Sequence, residues 1–556
     1  MSQETDVGEP EAIKWGVGGW ALVVAAFMIG FINFPLRVVG WQFDHLPGDA
    51  IDNRLNNFIL EHGYRYVTGR ANSFWDAPAF YPSQRITACS DAHLGMLPVY
   101  AAFRVAGFSP EGAFQGWFLL PFALNFAAAA WAIRRLGIGY AGVAAGAYVF
   151  AFAIPLTSQL THAQLYPRFL VPPAVVFGWE FLRLPRTSRL AACLGCLVYQ
   201  VYVSVYIGYF LAILLAIGLF ISVVRYGSQL PWGELIRPGR QVWLAHTTVL
   251  VAAGLALLPL GLAHGRVIGS QITDFVRAIA PSPKSWVTPS QFAAVVPLLT
   301  EPNSQLEGEQ QLFPGFTAIL AVGIGLFAVI WSRPFGGRAS VVAVAAWSVF
   351  VIGLLVTPFD LVWLYRPLVD LPGGSSIRAI GRIILVLLFP IAIAIAAGVD
   401  VVVGWARRFG RTGTALAGVL AVAIVAADQL LSPTDGVRAS TWVNGRLSRD
   451  LVVARQNQIR DAINRHPDPT LVYVFPSVGE GPDGWVTVQI DAMRAAQDLG
   501  IPCVNGYSGY RPPGWDAFRD YRSLMVWLQS HQTPPSKLAG LVVIGEPTQE
   551  KSFWIW

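Results

Sequence analysis

Long apolar stretches, separated by short polar or basic connectors, fill the first 431 residues of the chain. A helix needs about 20 mostly apolar residues to cross a bilayer. The stretches lie at 15–36, 94–107, 113–133, 138–156, 167–182, 190–205, 206–224, 244–262, 315–331, 339–357, 380–404 and 414–431. This pattern predicts a polytopic α-helical membrane protein with about 11–12 transmembrane segments.

Basic residues concentrate in several of the connectors, and this bias predicts how the chain is oriented. Because cytoplasmic loops carry the excess of Lys and Arg, the positive-inside rule places these connectors in the cytoplasm. The opposite face then receives the tail from residue 432 and the loops 37–93, 157–166, 263–314 and 358–379. This orientation requires 94–107 to be a short re-entrant or juxtamembrane element, as its length and Pro98 also indicate.

The tail has a different pattern, in which apolar runs of strand length alternate with stretches of helical periodicity. The runs lie at 471–475, 503–507 and 538–544, and the helical stretches at 486–499 and 515–529. Such alternation is typical of a parallel α/β unit. We therefore expect a membrane module over 1–431 and a small extracytoplasmic α/β domain over 432–556.

Composition supports the membrane assignment, because 54% of the residues are hydrophobic and only 13% are charged. An ordinary soluble enzyme has about 25% charged residues. The net charge of +6 is modest and its basic residues are explained by topology, so we expect no nucleic-acid partner. Of the four cysteines, only Cys89 and Cys503 are predicted to face an oxidising compartment, where they could pair.

The large first loop, 37–93, begins with a group of polar residues that could carry chemistry. If 49–62 forms a helix at the membrane interface, Asp49, Asp52 and Asn53 lie on one side of it. Two carboxylates and an amide could then face one cavity and act as a base or hold a metal ion. The alternative is that Asp49 caps the helix and that Asp52 belongs to a solvated face.

Basic residues at the mouths of predicted spans are candidates for binding a phosphate. Arg378 and Arg382 are four residues apart at the start of the run 380–404, so they share one helical face. Arg168 is a second candidate, and His162, in a short loop, could contact a phosphate or an acceptor. The alternatives are headgroup contact or snorkelling for the arginines, and an ordinary interfacial polar residue for His162.

Several short motifs follow one another in an order that resembles a known family. They are Gly48-Asp49, Asp52 with Arg54, Glu61-His62, Phe80-Tyr81-Pro82, Ser90-Asp91, His162 with Gln164-Leu165, Phe313-Pro314-Gly315, Arg378 with Gly381-Arg382, and Asn505-Gly506-Tyr507-Ser508-Gly509-Tyr510. With the large polar loop after the first span and the C-terminal domain, they resemble the GT-C superfamily of integral-membrane glycosyltransferases. The similarity is to multi-span bacterial members of that superfamily.

This resemblance implies an enzyme of the bacterial cytoplasmic (inner) membrane. Such an enzyme transfers a sugar from a polyprenyl-phosphate-linked donor to a glycan or lipid acceptor outside the cell, with inversion. The reaction needs a base for the acceptor hydroxyl group and positive charge to stabilise the departing phosphate. Asp49 matches the first-loop carboxylate that serves as general base in GT-C enzymes, and Asp52 is its catalytic companion in our assignment.

Other polar residues outside the predicted spans are candidates for binding the acceptor or the sugar. We assign Glu61, His62 and Asp91 of the first loop and Tyr507 and Tyr510 of the tail to this role. The two tyrosines could form an aromatic platform for a sugar, or could pack locally around a rigid turn.

A divalent cation, Mg or Mn, is an open expectation. Asp49, Asp52 and Asp91 would be its ligands. Many family members carry a second acidic residue in the next outer loop, whereas 157–166 has none, and this departure argues against a metal. The longer loop 263–314 carries Glu301, Glu307 and Glu309, which could bind the acceptor, gate the site or simply be solvated.

Two further functions would also use a large membrane protein of this kind. A transporter or flippase of lipid-linked saccharides would carry charged residues in the middle of its spans, but the predicted span centres here are almost free of charge. A non-catalytic envelope-glycan assembly protein would bind glycan through its tail and would not depend on Asp49.

Overall fold

The computed structural model describes residues 17–48, 51–236, 239–265, 273–294, 308–331, 335–359, 363–369, 371, 374, 377–432, 447–476 and 482–545. Within these ranges the chain forms a bundle of apolar helices and a polar region that we call the cap. The cap consists of residues 40–93 and 447–545, which are the first loop and the tail. The two parts are described in turn.

The bundle begins with the N-terminal helices and continues through most of the membrane module. Its helices are α1 (Val17–Asn33), α2 (Pro35–Val39), α4 (Leu97–Val105), α5 (Pro110–Arg135), α6 (Tyr140–Phe152), α7 (Val171–Arg183), α8 (Thr187–Val203), α9 (Val205–Tyr226), α10 (Trp232–Ile236), α11 (Arg240–His264), α12 (Thr273–Ala278), α13 (Phe316–Trp331), α14 (Arg338–Val356), α15 (Arg366–Val369), α16 (Ile384–Ala406) and α17 (Gly410–Asp428). The first loop contributes α3 (Asp52–Val67) between α2 and α4.

Seven helical segments among the described residues are long and apolar enough to cross a membrane. They are Gly18–Val39, Pro110–Arg135, Tyr140–Gln159, Val205–Gln229, Arg240–His264, Arg338–Val356 and Ile380–Asp428, the last of which contains both α16 and α17. Three further runs fold as the shorter helices α7, α8 and α13, with 13, 17 and 16 residues. The prediction of a polytopic helical membrane protein is confirmed, with fewer full-length apolar segments than the runs indicate.

The run 94–107 forms α4, which has only nine residues. A crossing of the hydrocarbon core requires about 20 residues, so α4 is too short to span it. Pro98 occupies its first turn, where a proline without an N–H group is tolerated. The segment is therefore the short element that the orientation requires.

Helices α6 and α16 pack closely at the centre of the bundle. Most side chains of both helices are buried, and α16 consists largely of Ile, Leu, Val and Ala. A Cβ atom at Gly142 would lie 2.4 Å from the carbonyl oxygen of Ala396, so only glycine permits this approach. Small residues at helix contacts are typical of membrane bundles, where close backbone approach replaces hydrophobic burial as the source of packing energy.

The tail contributes the remaining elements of the cap. They are α18 (Arg449–Asn464), β1 (Leu471–Val474), α19 (Pro482–Leu499), α20 (Tyr521–Ser530), α21 (Pro535–Ala539) and β2 (Leu541–Ile544). Strands β1 and β2 pair in parallel, with Leu471 opposite Leu541 and Val474 opposite Ile544. The parallel α/β character expected of the tail is present in this two-stranded sheet.

Two predicted elements of the tail are shorter in the structure. The run 503–507 makes only an isolated parallel bridge, from Cys503 to Val472, because the Asn505 side chain bonds to the backbone of Val474 in place of a longer ladder. The helix predicted at 515–529 begins only at Tyr521. Asp520 caps it by accepting a hydrogen bond from the backbone of Ser523.

The first loop and the tail share one hydrophobic core. Phe58 of α3 and Phe80 are buried with Tyr473, Trp515 and other residues of the tail. Their backbones also join, because the Phe80 N–H donates to the Asn505 carbonyl oxygen at 3.0 Å. Two segments more than 400 residues apart in the sequence thus form a single packed unit.

All four cysteines are free thiols in the structure. Cys89 and Cys503 are both buried, and no disulfide joins them. The optional pairing of these two residues is therefore not found.

Candidate functional site

The beginning of α3 is fixed by a close approach to the loop 157–166. Gly48 has a φ of +77°, and a Cβ atom there would lie 2.4 Å from the carbonyl oxygen of Leu160. The Asn53 side chain donates to that same oxygen at 2.7 Å and accepts from the Ala163 N–H at 2.8 Å. These bonds hold the first turn of α3 against the loop.

The same contact brings His162 to Asp52. His162 Nε2 lies 3.3 Å from Asp52 Oδ2 and 4.0 Å from Glu309 Oε1. A bond between the side chains of Asn56 and Gln164, at 2.7 Å, fixes the far side of the loop. Two acids from separate loops therefore face one imidazole.

Arg382 holds Glu309 at this place. Arg382 Nε lies 3.1 Å from each carboxylate oxygen of Glu309, and its guanidinium group lies 4.7 Å from the centre of the Tyr206 ring. Gly381 permits the contact, since a Cβ atom there would lie 2.1 Å from the Glu309 carbonyl oxygen. The segment that carries Glu309 is thus packed directly on the entrance to α16.

The tail supplies the last member of the group. The Tyr507 hydroxyl group donates a hydrogen bond of 2.6 Å to Asp52 Oδ1. We call Asp52, His162, Glu309, Arg382 and Tyr507 the site cluster. It combines the first loop, the loop 157–166, the loop 263–314, the start of α16 and the tail.

Electrostatics within the site cluster keep Glu309 and the His162 imidazole in different protonation states. Burial, together with Arg382, lowers the pKa of His162 to about 4, against the opposing effect of Glu309 and Asp52. Burial raises the pKa of Glu309, but Arg382 and His162 more than offset it, so the pKa lies below its ordinary value. Near neutral pH, Glu309 is ionised and His162 is neutral.

The tautomer of His162 follows from its neighbour. The Thr161 hydroxyl group lies 2.8 Å from Nδ1 of His162. With that hydroxyl group donating to Nδ1, the proton of the neutral ring resides on Nε2, which faces Asp52. The imidazole can therefore act as a hydrogen-bond donor toward the carboxylate.

Arg378 lies beside the site cluster. Its backbone N–H donates to the Tyr206 hydroxyl group at 3.4 Å. Its positive charge acts on both His162 and Glu309 and lowers the pKa of each. The predicted pair Arg378 and Arg382 thus places two cations around one polar site.

The described side chains do not fit a cation site. No group of three or more His, Cys, Asp and Glu residues within the described ranges converges in a way that could hold a metal ion. Glu309 is engaged by Arg382, and one oxygen of Asp52 is engaged by Tyr507. Mg or Mn stays an untested prediction, and Asp49, its first proposed ligand, lies outside the described residues.

Asp91 occupies a structural position at the start of α9. Its carboxylate accepts from the Ser204 hydroxyl group at 3.1 Å and from the Val205 N–H at 3.2 Å. Burial raises its pKa to about 6. Asp91 therefore caps a helix, and its predicted roles in acceptor and metal binding find no support in this placement.

Glu61 and His62 are also engaged in structural contacts. The fully buried Glu61 carboxylate pairs with Arg104 at 2.9 Å and with Arg65 at 3.2 Å. His62 Nε2 lies 2.9 Å from the Ser73 carbonyl oxygen, and burial lowers the pKa of its imidazole. Both side chains are buried among these partners, and their predicted role in binding an acceptor or a sugar stays a prediction.

Arg168 is not at the phosphate position predicted for it. Its side chain is fully buried and donates to the carbonyl oxygens of Leu385 at 2.8 Å and Phe150 at 2.9 Å. These bonds join α6 and α16 near the start of α7. Arg168 thus stabilises the bundle, and the sequence could not distinguish this role from anion binding.

The aromatic residues of the tail divide between the core and the surface. Trp515 is buried in the core of the cap, where its indole donates to the Val504 carbonyl oxygen. Tyr510 is half-buried, and its backbone N–H donates to Cys89. Sugar binding by Tyr507 and Tyr510 stays a prediction, but the Tyr507 hydroxyl group is already used by Asp52.

A second charged group, which we call the clamp, fastens α3 and the start of α5 to the tail. It consists of the pairs Arg54–Asp491, Arg65–Asp498 and Arg494–Glu111. Both members of the first pair are almost completely buried. The Gln497 side chain adds a bond to the Phe58 carbonyl oxygen at 3.0 Å.

Comparison with known proteins gives matches in structure but not in sequence. No protein-family model and no curated protein matches the chain. The oligosaccharyltransferase of Archaeoglobus fulgidus in its apo form gives a TM-score of 0.50 at 13% identity, covering 85% of this chain and 64% of that one. The same enzyme tethered to an acceptor peptide gives 0.51 at 11% identity, covering 92% and 68%.

ArnT from Cupriavidus metallidurans bound to undecaprenyl phosphate gives a lower TM-score of 0.40 at 12% identity, covering 88% of this chain and 90% of that one. Identities this low carry the fold alone. This chain spans 64% of the length of the apo oligosaccharyltransferase. The expected fold is confirmed: the protein is a polytopic membrane protein with the fold of the GT-C superfamily of membrane glycosyltransferases.

Proposed function

We propose that the protein is a glycosyltransferase that transfers a sugar from a polyprenyl-phosphate-linked donor to an acceptor hydroxyl group. One observation carries this proposal: the site cluster brings carboxylates, an imidazole and an arginine together from segments far apart in the sequence. Gathering ionisable groups in a partly buried site costs desolvation energy, and such groups are characteristic of functional sites in membrane proteins.

On the acceptor side, Asp52 supports the role of a base. Its side chain is 30% exposed, so an acceptor can reach it, while Tyr507 and His162 orient its two oxygens. The acceptor hydroxyl group gives its proton to the carboxylate, and its oxygen forms the new bond to the anomeric carbon. Asp49, the base implied by the resemblance, is the alternative at this step.

On the donor side, the bond from the anomeric carbon to the phosphate oxygen breaks, and the electron pair leaves with polyprenyl phosphate. Arg382 and Arg378 would stabilise the negative charge of that leaving group. Glu309 engages Nε and Nη2 of Arg382, which leaves Nη1 for a phosphate oxygen. Attack opposite to the leaving phosphate gives inversion at the anomeric carbon.

The cellular setting belongs to the same proposal. The basic connectors support a cytoplasmic membrane protein whose cap faces outward. Its partners would be the lipid-linked donor, a glycan or lipid acceptor and the surrounding membrane lipids. The bacterial inner membrane follows from the resemblance to bacterial multi-span members of the superfamily.

The test uses the full chain in lipid nanodiscs with a panel of undecaprenyl-phosphate-linked sugars as donors and a panel of glycans and lipids with free hydroxyl groups as acceptors. Released undecaprenyl phosphate, which is the product whatever the acceptor, is measured by mass spectrometry. We expect Asp52→Asn to reduce release at least 100-fold, since a general base contributes about 10²–10⁴-fold. Asp468→Asn, an exposed carboxylate of the cap, is the matched control and should remain within about twofold of the wild type.

The same assay distinguishes the two carboxylates and the other functions. If Asp52→Asn released undecaprenyl phosphate at the wild-type rate and Asp49→Asn did not release it, Asp49 would be the general base. If the donor moved between leaflets and no undecaprenyl phosphate were released, the protein would be a transporter and not a transferase. Mass spectrometry of lipid-linked sugars from cells lacking the gene would identify the natural donor, because the unused donor accumulates.

A further inference from the structure

The hydrogen bond between Tyr507 and Asp52 joins two residues that are 455 positions apart in the sequence. Tyr507 engages Oδ1 of the carboxylate at 2.6 Å, whereas His162 lies 3.3 Å from Oδ2. Each carboxylate oxygen therefore has a separate partner, and the partners come from different parts of the chain. This arrangement fixes the rotation of the carboxylate about its Cβ–Cγ bond.

The backbone before Tyr507 is anchored on both sides. The Asn505 side chain accepts from the Val474 N–H at 2.7 Å and donates to the Val474 carbonyl oxygen at 2.9 Å. It also donates to the Gln489 side chain at 2.8 Å. Asn505 is fully buried, so these bonds tie the segment firmly to β1 and α19.

Gly506 permits the chain to pass directly over the first loop. A Cβ atom at Gly506 would lie 2.2 Å from Cδ1 of Phe80, so any larger residue would push the segment away. Glycine is required at this position because the backbone lies so close to the Phe80 ring. The contact fixes the distance between Phe80 and the residue that follows Gly506, which is Tyr507.

We propose that Tyr507 is a positioning residue, whose phenol holds Oδ1 of Asp52 so that Oδ2 faces the acceptor beside His162. The inference rests on the proposed function of Asp52 as a base. Tyr507 keeps its proton throughout, and the proton of the acceptor goes to Oδ2. The tail would thereby complete the catalytic geometry without contacting the reacting atoms.

The first experiment separates positioning from substrate binding. Tyr507→Phe removes only the hydroxyl group, and we expect kcat for release of undecaprenyl phosphate from its sugar conjugate to fall about tenfold. KM for that conjugate should stay within about twofold. Tyr521→Phe, an exposed tyrosine of the same tail, should leave both constants unchanged. A raised KM with unchanged kcat would assign Tyr507 to sugar binding and overturn the inference.

A double variant tests whether Tyr507 acts through Asp52. If it does, Asp52→Asn combined with Tyr507→Phe should be no less active than Asp52→Asn alone. A further tenfold loss in the double variant would mean that Tyr507 acts independently, contrary to the proposal.

A second readout does not depend on transfer. Water-soluble carbodiimide and glycine ethyl ester modify accessible carboxylates, and mass spectrometry of the intact chain's peptides follows modification of Asp52. We expect the rate at Asp52 to rise severalfold in Tyr507→Phe and to stay unchanged in Tyr521→Phe. An unchanged rate of modification at Asp52 would show that Tyr507 does not hold this carboxylate, and it would overturn the inference. A raised rate in a protein that releases no undecaprenyl phosphate would instead overturn the proposed function and, with it, the role of Tyr507 in transfer.

Discussion

Helix α3 contributes charged side chains to two regions of the molecule, the site cluster and the clamp. In the clamp, Arg54 and Asp491 are only 4% and 3% exposed, and Asp491 pairs with Arg455 as well. In the site cluster, Asp52 is 30% and Glu309 is 20% exposed. Two residues that are neighbours on the same helical turn therefore sit in a closed and an open electrostatic environment.

This contrast separates charged residues of α3 that stabilise the fold from charged residues that can take part in a reaction. A buried ion pair adds little net stability but is costly to break, because the remaining partner stays in a low-dielectric interior. A partly exposed carboxylate with oriented oxygens can still exchange a proton with a ligand. The clamp and the site cluster differ in the exposed fraction of their side chains and in the number of ion-pair and hydrogen-bond partners, and not in residue type.

The largest effect on stability should come from breaking the clamp. Arg54→Met leaves Asp491 buried, with only the partly exposed Arg455 as a partner, and should destabilise the fold by about 3 kcal/mol. Thermal unfolding in detergent measures this as a lower midpoint. Arg54→Met combined with Asp491→Leu should recover part of the loss, and a double variant less stable than the single one would contradict this account.

Within the site cluster, removal of Arg382 should have its main functional effect on phosphate binding. Arg382→Met removes a cation from the phosphate position, and we expect the Kd for undecaprenyl phosphate to rise about 10–100-fold. Binding to the full chain in nanodiscs measures it. Arg338→Met, which removes an exposed arginine paired with Asp400, is the control. Equal affinities of the two variants would exclude Arg382 from the phosphate site.

Because His162 of the site cluster is neutral in the folded protein, its contribution to the free energy of unfolding should depend on pH. Its pKa in the folded protein is about 4, below the ordinary value near 6.5, so the unfolded chain takes up the proton first as pH falls. Its contribution to stability is full above pH about 6.5 and declines toward pH about 4, by about 3 kcal/mol.

Unfolding of the wild type and His162→Gln across this range isolates that contribution, since other buried histidines such as His93 act equally in both proteins. The gap between the two proteins should narrow as pH falls from 6.5 to 4. A constant gap would mean that folding leaves the pKa of His162 unchanged, which would contradict a buried neutral imidazole at this place.

The smallest effect is expected at the rim of the clamp. Arg460 is 36% exposed and lies 3.4 Å from Asp498, which Arg65 also engages. Exposed ion pairs contribute about 0–1 kcal/mol, so Arg460→Ala should change stability by no more than about 0.5 kcal/mol. A loss as large as that of Arg54→Met would show that burial does not separate strong from weak members of the clamp.

Sequence pattern predicted the bundle because its signal is local. A run of about 20 apolar residues indicates a membrane span wherever it occurs in the sequence. The runs 190–205 and 206–224 also predicted a helix boundary close to Ser204, where α8 ends and α9 begins. Helix lengths were less well predicted. Hydropathy does not reveal where a helix ends against its neighbours, and α7 stops after 13 residues.

The candidate site was predicted in part. Asp52, His162 and the pair Arg378 and Arg382, all named from the sequence, lie around one polar region in the structure, and their catalytic and binding roles stay predictions. The ion pair of Glu61 with Arg104 was not predicted, because Arg104 lies 43 residues away and no local spacing encodes such a pairing.

The clamp was missed for the same reason, since Arg54 and Asp491 are 437 positions apart. Tyr206 was also missed, because an aromatic residue at the start of an apolar run looks like an ordinary interfacial anchor. The loop that carries Glu309 was identified as acidic from the sequence. The ion pair between Glu309 and Arg382 was not predicted, because it forms only in the folded protein.

The distance in sequence between Asp52 and Tyr507 has a consequence for biosynthesis. Ribosomes add about 5–20 residues per second, so the 455 residues between them take on the order of 20 to 90 seconds to make. During that interval the spans insert into the membrane while the nascent first loop lacks its companion from the tail. An incomplete chain would therefore carry the arginines of the site cluster without the tail residue that orients Asp52, and the proposed enzyme would reach full activity only after the tail has been made and has packed against the first loop.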